Sequence, residues 1–474
     1  MWKLISDFCK NYKNIFLFGF FAGLAFAPFY LIFFLPISFY YIINKVLESN
    51  SKKQAFIESL IFGFGYYLIQ VYWVSFSLTI DIKTYFWLFP FAITLIPLAC
   101  AFYFASAVLI FFYIYKKYDI KNDFILTVIF SLLYVISEYI KGLIFPWNLF
   151  SYILGFSDIL IQIASLINIY VLDFILILFF CFGFVIFEYK NKRISFKKNN
   201  KYYIFFYIFI LIFIILFGII RLHKAEIKKF NLTFRLVQAN ISQTMKWDRN
   251  EMDNNIQKHN ELTQSAGFDK INIIVWAESS IPYLLLDNSI LPEEFLYLKE
   301  KVLITGAVRA NIENNKINKI WNSIFIFRNG KIIDYYDKSK LVPFGEYIPF
   351  SKYIPFAKKI TNGAIDFSMG NGNKTIRING IKISPIICYE IAFPDGVIDK
   401  NNKPDLIINL TNDAWFGRSS EPYQHLVSAK FRAVENKIPV IRVSNDGISA
   451  YIDRYGRIIK KIKLNKTGII DIDI

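Results

Sequence analysis

The chain has 474 residues, is 55% hydrophobic and carries a formal charge of +17. Its mean hydropathy of +0.38 excludes a wholly water-soluble protein, and its length allows two or three domains. Nucleic-acid binding is also excluded as the reason for the charge, since that needs basic residues clustered with exposed aromatics on one domain. Here lysines sit in short loops between apolar runs.

The apolar excess stops near Leu222, which divides the chain into a transmembrane domain (1–222) and a water-facing domain (223–474). A helix needs roughly 20 apolar residues to cross the hydrocarbon. Seven candidate spans follow in order, at about 14–28 and 29–44 (a tight pair around Pro28), 56–78, 85–114, 124–144, 159–187 and 203–221. Pro90 and Pro97 give the fourth span places to kink. Lysine and arginine gather in alternate loops: Lys3, Lys10 and Lys13; Lys45, Lys52 and Lys53; Lys116, Lys117 and Lys121; and Lys190 to Lys201. Such loops face the cytoplasm, so an odd number of spans puts the second domain on the far side of the membrane, in the periplasm of a bacterial inner membrane. The first apolar run is not read as a cleaved signal peptide, because no small-x-small site follows it. Glu138 and Lys141 lie near the outer end of span five, where a functional group and a solvated interfacial side chain are both open.

From His223 onward strands and helices alternate. Strands are expected at Phe234–Ile241, Ile271–Ala277, Val302–Val308, Ser323–Phe327, Ile383–Cys388, Asp405–Leu410 and Pro439–Val443. Asn329-Gly330 and Asn379-Gly380 are tight-hairpin signals. Helices fit about 249–265, 291–300 and 421–437. The pattern predicts helices layered on mixed sheets. Cys9, Cys100 and Cys181 fall in the membrane half, so Cys388 stands alone in the second domain and no disulfide framework or Cys-rich zinc site is available there.

Three segments share one design, an apolar strand, a reactive residue and then turn residues: Ile273-Ile274-Val275-Trp276-Ala277-Glu278, Ile332-Ile333-Asp334-Tyr335-Tyr336-Asp337-Lys338 and Ile386-Ile387-Cys388. On neighbouring strands these residues would meet at one rim. A thiol with a pKa near ~8.5 needs a base or a nearby cation to act as a nucleophile. Glu278 can take the proton. Lys338 can stabilise the thiolate and then the oxyanion, helped by a backbone N–H after Cys388. His223, His259 and His425 do not sit at strand ends, so a Cys–His pair is not expected. Singly, each of the three residues has a structural explanation: a packed thiol, a solvated lysine, a turn carboxylate. Their matching contexts make the case.

These residues carry a resemblance. Val275-Trp276-Ala277-Glu278-Ser279-Ser280-Ile281-Pro282, Lys338-Ser339-Lys340-Leu341-Val342-Pro343-Phe344-Gly345-Glu346-Tyr347-Ile348-Pro349 and Ile387-Cys388-Tyr389-Glu390 resemble the Glu-Lys-Cys motifs of the carbon–nitrogen hydrolase (nitrilase) superfamily. The match is closest to its membrane branch, the apolipoprotein N-acyltransferases. Val237-Gln238-Ala239-Asn240-Ile241 with Lys246-Trp247, Trp321-Asn322-Ser323, Asn412-Asp413-Ala414-Trp415-Phe416-Gly417 and Pro146-Trp147 support it. The resemblance implies a multi-span helical domain followed by an α-β-β-α sandwich. It implies Glu278 as general base, Lys338 as oxyanion-stabilising lysine and Cys388 as nucleophile. Glu346, Tyr389 and Glu390 then support the site, Trp247 and Trp415 line the lipid entrance, and Lys340 is off register and solvated. The implied reaction moves an acyl chain from a phospholipid donor, through a Cys thioester, to the α-amine of a diacylglyceryl-cysteine apolipoprotein. No cofactor or metal is expected. Residues 350–370, with Phe350, Tyr353, Ile354, Pro355, Phe356 and Ala357 beside Lys358 and Lys359, are expected to form an apolar, basic lid. The family pattern adds a final membrane helix, and the stretch up to Ile474 departs from it. Two rivals stay open: a membrane-tethered amidase acting on a soluble compound, and a transporter or scaffold with an inactive nitrilase-like module.

Overall fold

The computed structural model describes residues 2–190, 193–196, 201–225, 230–314, 316–349 and 365–474. The chain divides into two units, Met1–Lys224 and Ala225–Ile474. The expected lid residues 350–364 lie outside the described residues.

The first unit is helical: α1 (Trp2–Gly23), α2 (Phe34–Leu47), α3 (Lys52–Val71), α4 (Phe89–Tyr118), α5 (Asp123–Gly142), α6 (Ile169–Phe180) and α7 (Lys201–His223). Among the described residues, five stretches are long and apolar enough to cross a membrane: Lys52–Thr79, Ile82–Tyr118, Asp123–Gly142, Ile169–Ile186 and Lys201–His223. With 14 residues, α2 is about 21 Å long, short of the ~30 Å hydrocarbon core. The sixth expected span is interrupted. A 3-10 turn at Leu160–Ser165 precedes α6, whose start is fixed by Asn168, its side chain accepting from the Tyr170 N–H at 2.9 Å. Pro90 falls in the first turn of α4, where it removes no needed hydrogen bond, and Pro97 lies inside the helix. Helices α1 and α3 touch backbone to backbone: a Cβ on Gly19 would lie 2.0 Å from the Phe62 carbonyl oxygen, and one on Gly65 would lie 2.4 Å from that of Phe16. Small residues allow this close approach between membrane helices.

Glu138 and Lys141 are not solvated. Both are 2% exposed and form an ion pair of 2.8 Å three residues apart on α5. The Tyr67 hydroxyl donates to Glu138, and Lys141 Nζ donates to the Trp147 carbonyl at 3.3 Å.

The second unit holds two sheets. Its strands are β1 (Thr233–Gln238), β2 (Ile273–Trp276), β3 (Val302–Glu313), β4 (Lys316–Arg328), β5 (Lys331–Asp337), β6 (Ile376–Ile378), β7 (Ile381–Ile387), β8 (Leu406–Thr411), β9 (Val440–Ser444), β10 (Ser449–Ile452), β11 (Ile458–Ile462) and β12 (Gly468–Asp473). One sheet runs β12-β1-β2-β3-β4-β5, with the short strand Leu284–Leu285 beside β3; the other runs β11-β10-β9-β8-β7-β6. The central neighbours β1–β2, β2–β3, β7–β8 and β8–β9 are parallel. Side chains alternate between layers as strand geometry requires. Ile273 and Val275 face the other sheet, meeting Ile383, Ile387, Leu406, Ile408 and Val443. Ile274 and Trp276 face outward to Ile256 of α8 (Met252–Thr263) and to Phe295. On the opposite side Ile386, Ile407 and Val440 pack under Leu426, Ala429 and Ala433 of α9 (Glu421–Asn436). The layers are therefore α-β-β-α.

Both hairpin signals form. Asn329 and Gly330 join β4 to β5 with φ of 52° and 73°, and Asn379 and Gly380 join β6 to β7 with φ of 46° and 86°. The expected helix at 291–300 is only a 3-10 turn, Glu293–Leu298. The closing run Gly468–Asp473 is an antiparallel partner of β1.

Candidate active site

Three strand ends supply the three reactive residues. Glu278 follows β2 by two residues, and the chain turns there through Ser279 at φ 48°. Gly306 on neighbouring β3 makes room, since a Cβ there would lie 2.3 Å from the Ser279 nitrogen. Lys338 follows β5 and is held by its N–H on the Asn322 carbonyl at 2.9 Å. Cys388 follows β7 with φ 47°, opening a 3-10 turn over Cys388–Ala392. A non-glycine residue in this left-handed region is strained and persists only where its surroundings hold it.

The side chains converge. Lys338 Nζ lies 2.9 Å from Glu346 Oε1 and 3.9 Å from Glu278 Oε1. Asn322 Nδ2 bridges the two carboxylates, donating to Glu278 Oε1 at 2.7 Å and Glu346 Oε1 at 2.9 Å. Glu346 Oε2 accepts from the Val342 N–H at 2.8 Å. All four are buried, and Cys388 is partly buried. Burial works against the Lys338 ammonium, but the charges of Glu346, Glu278 and Cys388 hold its pKa above the ordinary lysine value. Burial and then the Glu278 carboxylate push the Cys388 thiol up, against the downward pull of Lys338. With its pKa raised, Cys388 rests as a thiol, and a thiol acts as a nucleophile only as a base takes its proton.

Glu390 is fully buried and locks two segments together. Its Oε1 accepts from the Tyr336 hydroxyl (2.8 Å), the Ser339 N–H (2.7 Å), the Ser339 hydroxyl (2.8 Å) and the Lys340 N–H (3.1 Å). Its Oε2 accepts from the Ile387 N–H at 2.8 Å. It thus ties the turn after Lys338 to the turn that carries Cys388. Tyr389 is buried and packs edge-on against Phe393 at 5.1 Å. Trp247 and Trp415 are half-buried. Lys340 is exposed, its Nζ 5.6 Å from the Phe393 ring centroid.

Two groups add to what the motifs suggested. Lys246 is buried and donates from Nζ to the Glu278 carbonyl at 2.7 Å. Burial draws its pKa down to about 8, against the charges of Glu278, Asp446 and Cys388. The second is a buried cluster under Cys388, built from Asp413, Glu421, His425 and Arg442. Arg442 Nη2 bonds Asp413 Oδ2 at 2.7 Å. His425 Nδ1 lies 3.1 Å from Asp413 Oδ1 and 3.2 Å from Glu421 Oε1, and its Nε2 lies 3.1 Å from the Cys388 carbonyl oxygen. No histidine is expected here, since none lies at a strand end; His425 arrives from α9. Its signal was the Asp413 motif, whose buried carboxylate needs a cationic partner. Asp413, Glu421 and His425 bring metal-ligand atoms within 4.8 Å of one another. Arg442 Nη2, which is also 3.1 Å from His425 Nδ1, already supplies the positive charge that a divalent ion would bring.

Residues 18–182 match the family model described as the apolipoprotein N-acyltransferase N-terminal domain, and residues 233–474 match that described as carbon-nitrogen hydrolase. An apolipoprotein N-acyltransferase of Rickettsia bellii is 38% identical over 96% of this chain and 89% of its own length. The chain belongs to the apolipoprotein N-acyltransferase family. A Rickettsia prowazekii relative of the same name is 35% identical over 96% of this chain and 90% of its own, and one from Rhodopseudomonas palustris is 31% identical over 86% and 78%. As a member, the chain is a membrane-bound N-acyltransferase acting on lipoproteins, and the soluble-amidase rival is not favoured.

Proposed function

We propose that this N-acyltransferase works by a Cys388 thioester, with Glu278 as general base and Lys338 as the oxyanion's cation. The observation that carries the reading is the hydrogen-bonded run Glu278–Asn322–Glu346–Lys338 beside a left-handed cysteine. Glu278 takes the thiol proton while sulfur attacks the acyl carbonyl carbon of a phospholipid. The developing O⁻ is met by the Lys338 ammonium. The C–O bond breaks, and the Glu278 proton passes to the departing lysophospholipid oxygen. The neutral α-amine of a diacylglyceryl-cysteine apolipoprotein then attacks the thioester. Its proton returns through Glu278 to the Cys388 sulfur as the amide forms.

Glu346 fixes the Lys338 ammonium, and Glu390 fixes the two turns that carry Lys338 and Cys388. Tyr389 packs beneath the nucleophile turn. Trp247 and Trp415 stand at the lipid entrance. The alternation of lysine-rich loops supports a catalytic domain (223–474) on the periplasmic side of an inner membrane, after an odd number of crossings within 1–222.

Intact-mass spectrometry of the purified protein incubated with phospholipid tests the reaction class and the nucleophile together. Wild type should gain one fatty-acyl mass and Cys388→Ser should gain none. An adduct of equal size on both proteins would defeat the reading.

A further inference from the structure

The cluster beneath Cys388 has a direction. Asp413 is reached by Arg442, His425, the Thr411 hydroxyl (3.1 Å) and the Ser444 hydroxyl (3.2 Å). From it one route runs to the cysteine: His425 Nε2 lies 3.1 Å from the Cys388 carbonyl oxygen. A carbonyl only accepts, so Nε2 carries the proton. Nδ1 lies 3.1 and 3.2 Å from two carboxylates and 3.1 Å from Arg442 Nη2; burial and Arg442 work against a second proton on the ring, and the carboxylates favour it.

Peptide planarity turns this bond into a constraint on the site. In a trans peptide the C=O of Cys388 and the N–H of Tyr389 lie in one plane and point opposite ways. Fixing the carbonyl on the buried imidazole aims the Tyr389 N–H away from the cluster. Rotating that peptide would reverse the N–H and would break the bond between His425 Nε2 and the Cys388 carbonyl. The residue so held is the one whose φ of 47° is unfavourable for a side chain.

We propose that His425 is a positioning residue: its Nε2–H, donated to the Cys388 carbonyl, holds the nucleophile turn and the following N–H in the orientation that acyl transfer uses. This rests on Cys388 being the nucleophile.

The test compares two amides in the full chain, His425→Gln, whose amide nitrogen reaches the Nε2 position, and His425→Asn, which reaches only the Nδ1 position beside Asp413. Acyl-adduct formation with phospholipid is followed by intact mass on monodisperse protein, over a range of phospholipid concentrations. His425→Gln should acylate within about 10-fold of wild type. His425→Asn should slow by about 50-fold or more at saturating phospholipid, with the half-saturating concentration within 3-fold of wild type. Cluster integrity alone predicts the reverse order, since asparagine keeps the contact with Asp413. Equal rates for the two variants, or a faster His425→Asn, would overturn the proposal. Absence of an adduct on wild type would instead defeat the nucleophile assignment, which separates the two failures.

Discussion

Each unit of this protein buries a glutamate–lysine group, and the two are built differently. In the membrane unit Glu138 and Lys141 sit three residues apart on one helix, 2.8 Å from each other and 2% exposed. One charge meets one charge, and Tyr67 and the Trp147 carbonyl take up further valences. In the second unit one ammonium, Lys338, faces two carboxylates, Glu346 of its own segment at 2.9 Å and Glu278 from another strand end at 3.9 Å. The first arrangement is electrically closed and holds helices in place. The second leaves a carboxylate in excess of Lys338 beside a thiol, with Lys246 engaged on the Glu278 backbone carbonyl, an arrangement suited to proton transfer. The contrast between a balanced pair and an unbalanced triad separates scaffold from chemistry.

The sharpest break of that contrast is Glu278→Gln. Glutamine keeps the shape and the Asn322 contact but cannot take a proton, so adduct formation should fall about 10³-fold, in the range of general-base losses. The melting temperature should hardly move. Loss of less than tenfold, read by intact-mass kinetics, would mean that the excess carboxylate is idle.

Removing one partner of the closed pair should do the opposite. Lys141→Met leaves Glu138 buried without its cation and should cost about 3–5 kcal/mol of stability, measured as a lower midpoint in detergent-solubilised thermal unfolding. The double variant Glu138→Gln with Lys141→Met should regain much of that loss. Iodoacetamide alkylation of Cys388 per folded molecule should match wild type in both.

Glu346→Gln tests the triad's own support. Its Oε1 would still accept from one donor, but the ammonium would lose its nearest charge. Adduct formation should fall about 10- to 100-fold, and the double variant with Glu278→Gln should be less than additive because the two carboxylates share the Asn322 amide and the Lys338 ammonium. Strict additivity would show that Glu346 works elsewhere.

The opposite limit, a buried ionisable group with no counter-charge, is His259. Burial first, then Lys246 and Lys258, draw its pKa down to about 4. Its Nδ1 pairs with the Asn255 carbonyl at 2.8 Å, and its Nε2 has no partner. A folded value below the unfolded ~6.5 means that its stabilising contribution is complete above that pH and is lost as pH falls toward 4. The expected loss is about 2 kcal/mol between pH 7.5 and 5. His259→Phe, which keeps the stacking on Trp276, should flatten that part of the stability–pH curve. An unchanged slope would place the acid sensitivity in another group.

Much of this could be read from the chain before folding. Hydropathy marked the membrane half, because a bilayer demands long apolar runs whatever the packing. The two Asn-Gly pairs marked their hairpins, because the turn needs φ above zero at both positions. The apolar strands ending in Glu278, Lys338 and Cys388 marked a shared rim, because strand ends in a layered sheet gather at one edge. Helix 291–300 failed for a local reason. Pro292 and the left-handed Lys299 (φ 47°) bracket too few residues for more than a 3-10 turn. His425 is hidden in the sequence for a non-local one, since a helix residue shows nothing of the strand end it will meet.

By itself the sequence determined the periodicities, the turns and the charge placement, all properties of residues near one another along the chain. Only the tertiary structure decided which carboxylates share the Lys338 ammonium, that the Cys388 thiol rests protonated, and that an imidazole from α9 holds its carbonyl. Those depend on distances of a few ångströms between segments tens of residues apart and on the burial that makes such distances matter, and no local pattern encodes either.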